Sequence, residues 1–301
     1  MRHTDVWVFG GGRLRAAVGL LAIIAALLAQ GWIAERASAA TAMAAGTRLT
    51  IATRTFKISG PNEQRRLVVR CPGRTSPLGG GMISNPPPSG DGEGVYPHSY
   101  ERLGLQQGWH VTAVHFSPSR RGHPHDVTLQ VVCGGKGKHV TPPHTTVFVR
   151  PGQTKTIQAT CPGRRHLFGG GFQRTDFITG GGNYVTESRA ISSQTWQVSG
   201  SAFGSFGGEL TAIAYCRRSK QPLLTEVSAP TVVPHGKYGT ATTPPCPAGR
   251  RLVSGGFSSS PPGPLFFTNG FINTDGSWTA SGFNYFGPTA TVAAYGYCLS
   301  V

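Results

Sequence analysis

The stretch CPGRRHLFGGGF, Cys161 to Phe172, joins a cysteine, a Pro-Gly turn, two arginines and a triple glycine. The same arrangement recurs at the same spacing as CPGRTSPLGGGM, Cys71 to Met82, and as CPAGRRLVSGGF, Cys246 to Phe257. A unit repeated without insertion is an internal repeat, so the stretch is read as one part of a supersecondary unit used three times. Pro162 and Gly163 make a tight turn at a strand end, because proline fixes φ and glycine tolerates positive φ. Three glycines inside an otherwise strand-like run imply a neighbouring backbone or ring lying too close for any Cβ, and the unit's own tryptophan is the expected neighbour. The competing use of Gly169 to Gly171 is an anion-binding nest of backbone N–H groups. No Gly-Lys-Ser/Thr follows, so a nucleotide P-loop is not supported.

The match extends beyond the glycines. A tryptophan follows in GWHVTAVHF (Trp109), TWQVSGSAF (Trp196) and SWTASGFNY (Trp278), and a strand-like run closes each unit at VTLQVVC, LTAIAYC and TVAAYGYC. Unit 1 carries extra residues between its tryptophan and its second cysteine, in SPSRRGHPHD, where a hairpin loop absorbs length without moving the strands. Along TWQVSGSAF, Trp196, Val198, Gly200 and Ala202 share one face and Gln197, Ser199 and Ser201 the other, the pattern of a core tryptophan on a half-buried strand.

Two cysteines fall in each unit, and repeat symmetry pairs Cys71 with Cys133, Cys161 with Cys216, and Cys246 with Cys298, the disulfides of an oxidising compartment. No C-x-x-C or C-x-x-H spacing supports metal binding by these cysteines. TKTIQATC, LFGGGFQRT, NYVTESRAIS, TWQVSGSAF and LTAIAYC read as five strands of one unit, and nothing in the mature chain shows a sustained helical period. The expected fold is all-β: three tandem disulfide-clamped antiparallel β repeats, arranged as sandwich beads or as a pseudo-threefold β-prism, after an N-terminal signal helix. The Pro-, Lys- and Thr-rich stretches GGKGKHVTPPHTT and RRSKQPLLTEVSAPT read as linkers, which divides the chain into a signal peptide 1–39 and repeats at 40–139, 140–221 and 222–301.

The leader reading rests on Arg13 and Arg15, the apolar run from Ala16 to Ala29, and the small-residue cleavage signal Ala37-Ser38-Ala39. Its rival is an uncleaved anchor, the chain's single expected contact with a membrane core. Removing the leader takes away Arg2, Arg13, Arg15 and Arg36 with Asp5 and Glu35. The 28 basic and 12 acidic residues of the whole chain then become 24 and 10, a net charge of +14. For an exported, secreted protein of the cell envelope or extracellular space, a specific nucleic acid is not the expected partner. The expected partners are anionic polysaccharide, wall polymer or phospholipid headgroups, with solubility as the alternative use of the charge. Arg164, Arg165, Arg250 and Arg251, in the turns after Cys-Pro, are the expected ligand-binding residues, because turn guanidiniums reach solvent or an anionic partner.

Enzyme chemistry finds little support. No carboxylate recurs at one place in all three units, and G-x-S-x-G, H-E-x-x-H and an unpaired cysteine are all missing. No cofactor, metal ligand or catalytic residue is therefore assigned. The best remaining cluster is His123, His125 and Asp126 in the unit 1 loop, a weak metal-ligand set without a second spaced element. The expected function is a non-enzymatic binding or structural module. The alternative is an enzyme acting on a glycan or envelope polymer through one diverged repeat.

The repeated Cys-Pro-x-Gly…Gly-Gly-Gly…Trp…Tyr-Cys pattern, over about residues 60 to 301, resembles that of uncharacterised secreted bacterial repeat proteins. Its Cys-Pro-Gly turns followed by Gly-Phe are more distantly similar to those of the vitelline membrane outer layer protein I family. That second resemblance implies a threefold β-prism and a carbohydrate-associated role. Neither resemblance implies catalytic residues.

Overall fold

The computed structural model describes residues 49–103, 108–117, 122–135, 142–175, 177–178, 181–218 and 223–300. The expected leader, residues 1–39, lies outside them. The described residues form strands and no helix, so none of their helices is long and apolar enough to cross a membrane.

Unit 1 supplies β1 (Thr50–Ile58), β2 (Gln64–Arg70), β3 (Ser76–Asn85), β4 (Gly94–Leu103), β5 (Gly108–Phe116) and β6 (His125–Gly134). Unit 2 supplies β7 (His144–Val149), β8 (Thr154–Thr160), β9 (His166–Arg174), β10 (Phe177–Ile178), β11 (Gly181–Ala190), β12 (Thr195–Gly204) and β13 (Gly208–Arg217). Unit 3 supplies β14 (Leu224–Val227), β15 (Thr231–Pro234), β16 (Tyr238–Thr242), β17 (Arg250–Ser260), β18 (Leu265–Ile272), β19 (Trp278–Asn284) and β20 (Thr289–Ser300). Five strands per unit is therefore too few. The additional strands β7 and β14 lie in or at the edge of the Pro- and Thr-rich stretches read as linkers, and pair with β13 and β20. They are short and largely exposed, so they lack the apolar signal of an inner strand.

The units do not fold as separate beads. Three antiparallel sheets form, with strand orders β1-β6-β3-β18-β19-β16, β2-β5-β4-β9-β13-β7 and β14-β20-β17-β11-β12-β8. Each sheet combines strands from two units, and each unit serves two sheets, so the sharing runs in a cycle from unit 1 to 2 to 3 and back. The joins are equivalent: β4 meets β9 at Tyr100↔Phe172, β11 meets β17 at Ser188↔Phe257, and β18 meets β3 at Gly270↔Met82.

The three disulfides form as paired by the repeat: Cys71–Cys133, Cys161–Cys216 and Cys246–Cys298. In each pair the first cysteine follows a strand of one sheet and the second ends a strand of another. Every bridge thus fastens together the two sheets to which its unit contributes. Three such bonds suit an oxidising environment.

The triple glycine has a separate contact for each member. A Cβ on Gly79 would lie 2.3 Å from the Val253 carbonyl oxygen, and one on Gly169 would lie 2.9 Å from Ser254 Oγ, so the first positions of the three units converge on one another. Ser254, which replaces the first glycine in unit 3, uses that proximity to donate a hydrogen bond to the Phe168 carbonyl at 3.2 Å. The second glycines, Gly80, Gly170 and Gly255, lie under Trp109, Trp196 and Trp278, each 1 % exposed. The third glycines, Gly81, Gly171 and Gly256, abut the carbonyls of Gly270, Tyr100 and Ser188 across the joins.

A side chain also spans each join. The hydroxyl of Tyr215 accepts from Arg102 N at 2.7 Å, that of Tyr297 accepts from Ala190 N at 2.7 Å, and in unit 1 Gln130 Oε1 accepts from Ile272 N at 2.8 Å. On the outer sheet faces, Thr, Ser and Gln pair across strands, as in Thr156–Ser199 and Gln158–Gln197, which explains why those strands alternate polar with apolar.

Candidate functional site

β3 fixes the positions of two ends. It pairs with β6 from Ser76↔Gly134, beside the Cys71 turn, to Asn85↔Asp126, beside His125. At about 3.3 Å per residue the Cys-Pro turn and the far end of the strand are about 30 Å apart.

The expected ligand-binding arginines belong to the first end. Arg164 and Arg251 are exposed and Arg165 and Arg250 half-buried, with Arg74 exposed in the unit 1 turn. Strand register places Leu167 opposite Cys216 and Leu252 opposite Cys298, so Arg165 corresponds to Arg250, His166 to Arg251, and Arg164 to Gly249. Arg250 and Arg251 are moreover not turn residues but the first two residues of β17, paired with Ser300 and Leu299, so the basic sites are equivalent in place without being identical in residue or in local structure. Among the described residues, none of these arginines has an ion-pair partner. Their turns are held by backbone bonds, Arg165 N to Pro162 O and Arg250 N to Pro247 O, and each is tied to a second sheet by its disulfide.

The opposite end is aromatic. Tyr96, Tyr184 and Phe266, one from each unit and all buried, pack with Phe116, Phe203 and Tyr285, again one from each. The Tyr184 and Phe266 rings stack with centroids 3.6 Å apart, and Tyr96 meets both edge-on at 6.3 Å. A cavity of about 30 Å³ remains among the six rings. Phe286, 51 % exposed, extends the cluster to the surface. Arg174, 6 % exposed, places its guanidinium 4.9 Å from the Tyr184 ring centre, and burial pulls its pKa down to about 10. Burial likewise pushes the Tyr96 hydroxyl well above its ordinary value.

Beside this cluster, unit 1 brings together three polar side chains that its sequence scatters. Glu93, His115 and His125 are 6 %, 0 % and 2 % exposed, and one ligand atom from each lies within 4.8 Å of the others. Glu93 Oε1 is 3.5 Å from His115 Nε2 and accepts a hydrogen bond from His123 N at 2.5 Å. His115 Nδ1 bonds the Gly60 carbonyl at 2.8 Å and His125 Nδ1 the Pro86 carbonyl at 3.0 Å. Both Nε2 atoms are buried without a hydrogen-bond partner. The Glu93 carboxyl is held below its ordinary range despite the opposing effect of burial, because His123 donates to it and two histidines surround it.

The trio His123, His125 and Asp126 does not converge as such. Strand alternation turns His125 inward and leaves Asp126 exposed, and Glu93 supplies the carboxylate instead. The missed member, His115, carried a signal: in GWHVTAVHF it shares the period-two face of Trp109, Val111 and Ala113, the buried face of the strand.

A third polar group lies across the unit 1–unit 2 join. Ser99 Oγ donates to Thr112 Oγ1 at 3.0 Å, Thr112 Oγ1 lies 3.1 Å from His110 Nε2, and His110 Nδ1 lies 2.9 Å from Glu101 Oε1. Gln173 of unit 2 closes the chain by donating to Glu101 Oε2 at 2.5 Å.

The chain matches no protein-family model and no curated protein.

Proposed function

We propose that the protein is an exported, non-enzymatic binding module of the cell envelope or extracellular space that holds an anionic polymer or glycan through its Cys-Pro turns. We take the cyclic sharing of sheets as the pseudo-threefold prism that the vitelline membrane outer layer resemblance implies. The observation that carries the functional reading is the set Arg164, Arg165, Arg250 and Arg251, joined by Arg74. These cations lie in or directly after equivalent turns on a disulfide-fastened frame and are without an ion-pair partner among the described residues. A free guanidinium on a rigid turn loses little on meeting a sulfate, phosphate or carboxylate, and several such turns give multivalent attachment from individually weak contacts.

The test is retention on a heparin-like or teichoic-acid-like matrix. Exposed charges are screened over about 8 Å at physiological ionic strength, so retention falls steeply with added salt. Replacing the four arginines by glutamine lowers the eluting salt concentration and leaves thermal stability unchanged. Equal elution of parent and variant makes the basic turns solubility features.

A second reading, an enzyme in the one diverged unit, is favoured by the chain Thr112–His110–Glu101, which has the order of a hydroxyl nucleophile, its base and an orienting carboxylate. Covalent labelling of Thr112 by a fluorophosphonate, abolished by His110→Gln, would establish it in place of the binding module.

A further inference from the structure

We propose that Glu93, His115 and His125 bind a divalent transition-metal ion of the zinc class, with His123 or a water in the fourth position. The inference is independent of the basic turns, which lie at the other end of the strands.

Three observations point the same way. First, the backbone carbonyls of Gly60 and Pro86 can only accept, so the Nδ1 of His115 and of His125 must carry the hydrogen in those bonds. In the neutral rings this leaves both Nε2 lone pairs unbonded, that of His115 3.5 Å from the buried Glu93 carboxylate and that of His125 buried with no hydrogen-bond donor. A ring lone pair held that close to a carboxylate in a dry site repels it unless a cation stands between them. The outer partner on each Nδ1 is the arrangement that fixes ring orientation in metal-ligating histidines.

Second, both Nε2 atoms lack a hydrogen-bond partner although their side chains are almost wholly buried. The separation of 3.5 Å between Glu93 Oε1 and His115 Nε2 is close to the edge of a tetrahedron whose ligands stand about 2.0–2.1 Å from the ion. His123 Nδ1, 3.3 Å from the same oxygen and largely exposed, stands at the solvent side where the ion would enter.

Third, Gly122 keeps the approach open. A Cβ there would lie 2.7 Å from His115 Cε1 and 3.3 Å from its Nε2, filling the space over the ring.

Two imidazoles and one carboxylate select a borderline ion such as zinc. Calcium and magnesium require a shell of oxygen ligands that this site lacks. The competing occupant is a proton, which would convert one histidine to an imidazolium paired with Glu93.

The experiment uses the untagged chain with its disulfides intact, so that neither a histidine tag nor free thiols contribute. After chelator treatment and dialysis, Zn²⁺ is titrated in competition with a chromophoric chelator, and Co²⁺ is substituted for its visible spectrum. The expected result is one equivalent per chain and an intense tetrahedral Co²⁺ spectrum without thiolate charge-transfer bands. Glu93→Gln, His115→Gln and His125→Gln each weaken affinity at least about tenfold, since losing a direct ligand costs no less than losing an outer partner. Asp126→Asn, one residue from His125 but facing solvent, binds as the parent does.

A folded parent chain that takes up no zinc shows the cluster to be an imidazolium–carboxylate pair and overturns the proposal. A pale octahedral Co²⁺ spectrum, or binding that survives all three ligand substitutions, does the same. Because the two Co²⁺ and Zn²⁺ results on the parent decide the matter, a variant that fails to fold does not rescue it.

Discussion

A Cβ built on Gly170 would lie 2.1 Å from Cδ2 of Trp196, and the same relation joins Gly80 to Trp109 at 2.3 Å and Gly255 to Trp278 at 2.0 Å. The middle glycine of each triplet is therefore the floor on which the unit's tryptophan rests. Gly170→Val forces a buried ring to move in a close-packed interior and is expected to destabilise the protein by about 1–3 kcal/mol. Gly90→Ala, where an added Cβ meets nothing and the backbone is unstrained, is expected to stay within about 0.5 kcal/mol of the parent. Denaturant midpoints of the two variants check the pair.

Tyr297→Phe removes the acceptor of Ala190 N while keeping the ring. The orphaned N–H at the unit 2–unit 3 join is expected to cost about 1–3 kcal/mol. Tyr215→Phe, which orphans Arg102 N at the unit 1–unit 2 join, is expected to cost a similar amount, measured in the same way.

These two cases mark where the sequence could be read and where it could not. The glycine–tryptophan contact and the disulfide pairing were legible because both are local to one unit and stated three times over. The tyrosine bonds and the sharing of each sheet between two units were not, because a strand's residues reveal its buried face but not which edge it will meet. Unit 1 also replaces the tyrosine with Gln130, two positions earlier along the closing strand relative to its cysteine, which hides the equivalence. The Glu93–His115–His125 cluster was hidden for the same reason: its members come from β5, β6 and the loop before β4 and meet only when unit 1 folds.

Cys161→Ala with Cys216→Ala opens a bridge that spans 55 residues and joins two sheets. Loop-closure entropy sets the expected loss at about 4 kcal/mol. Calorimetry of the double variant checks it, and non-reduced peptide mapping of the parent is expected to find each bridge inside its own unit.

Acid should loosen the fold through His98. It is 2 % exposed, and burial, aided by the nearby Arg174 cation, drives its pKa far below the ordinary value. The folded chain keeps this ring neutral while the unfolded chain protonates it below about pH 6.5. The resulting stability is present at neutral pH and is lost at about 1.4 kcal/mol per pH unit on acidification. His98→Gln is expected to flatten the fall in stability between pH 7 and pH 5. An unchanged slope would assign the acid sensitivity to other groups.

Hydrogen exchange on the protein, with and without a sulfated or phosphate-bearing oligomer, tests the proposed attachment through the Cys-Pro turns most directly, because the two ends of the strands report separately. Slowed exchange is expected around the three turns that carry or precede Arg74, Arg164 and Arg165, and Arg250 and Arg251. The segments holding Glu93, Phe116, Phe203 and Phe286 should remain unaffected. Protection confined to that aromatic and histidine-bearing end, with the Cys-Pro turns unchanged, would contradict it.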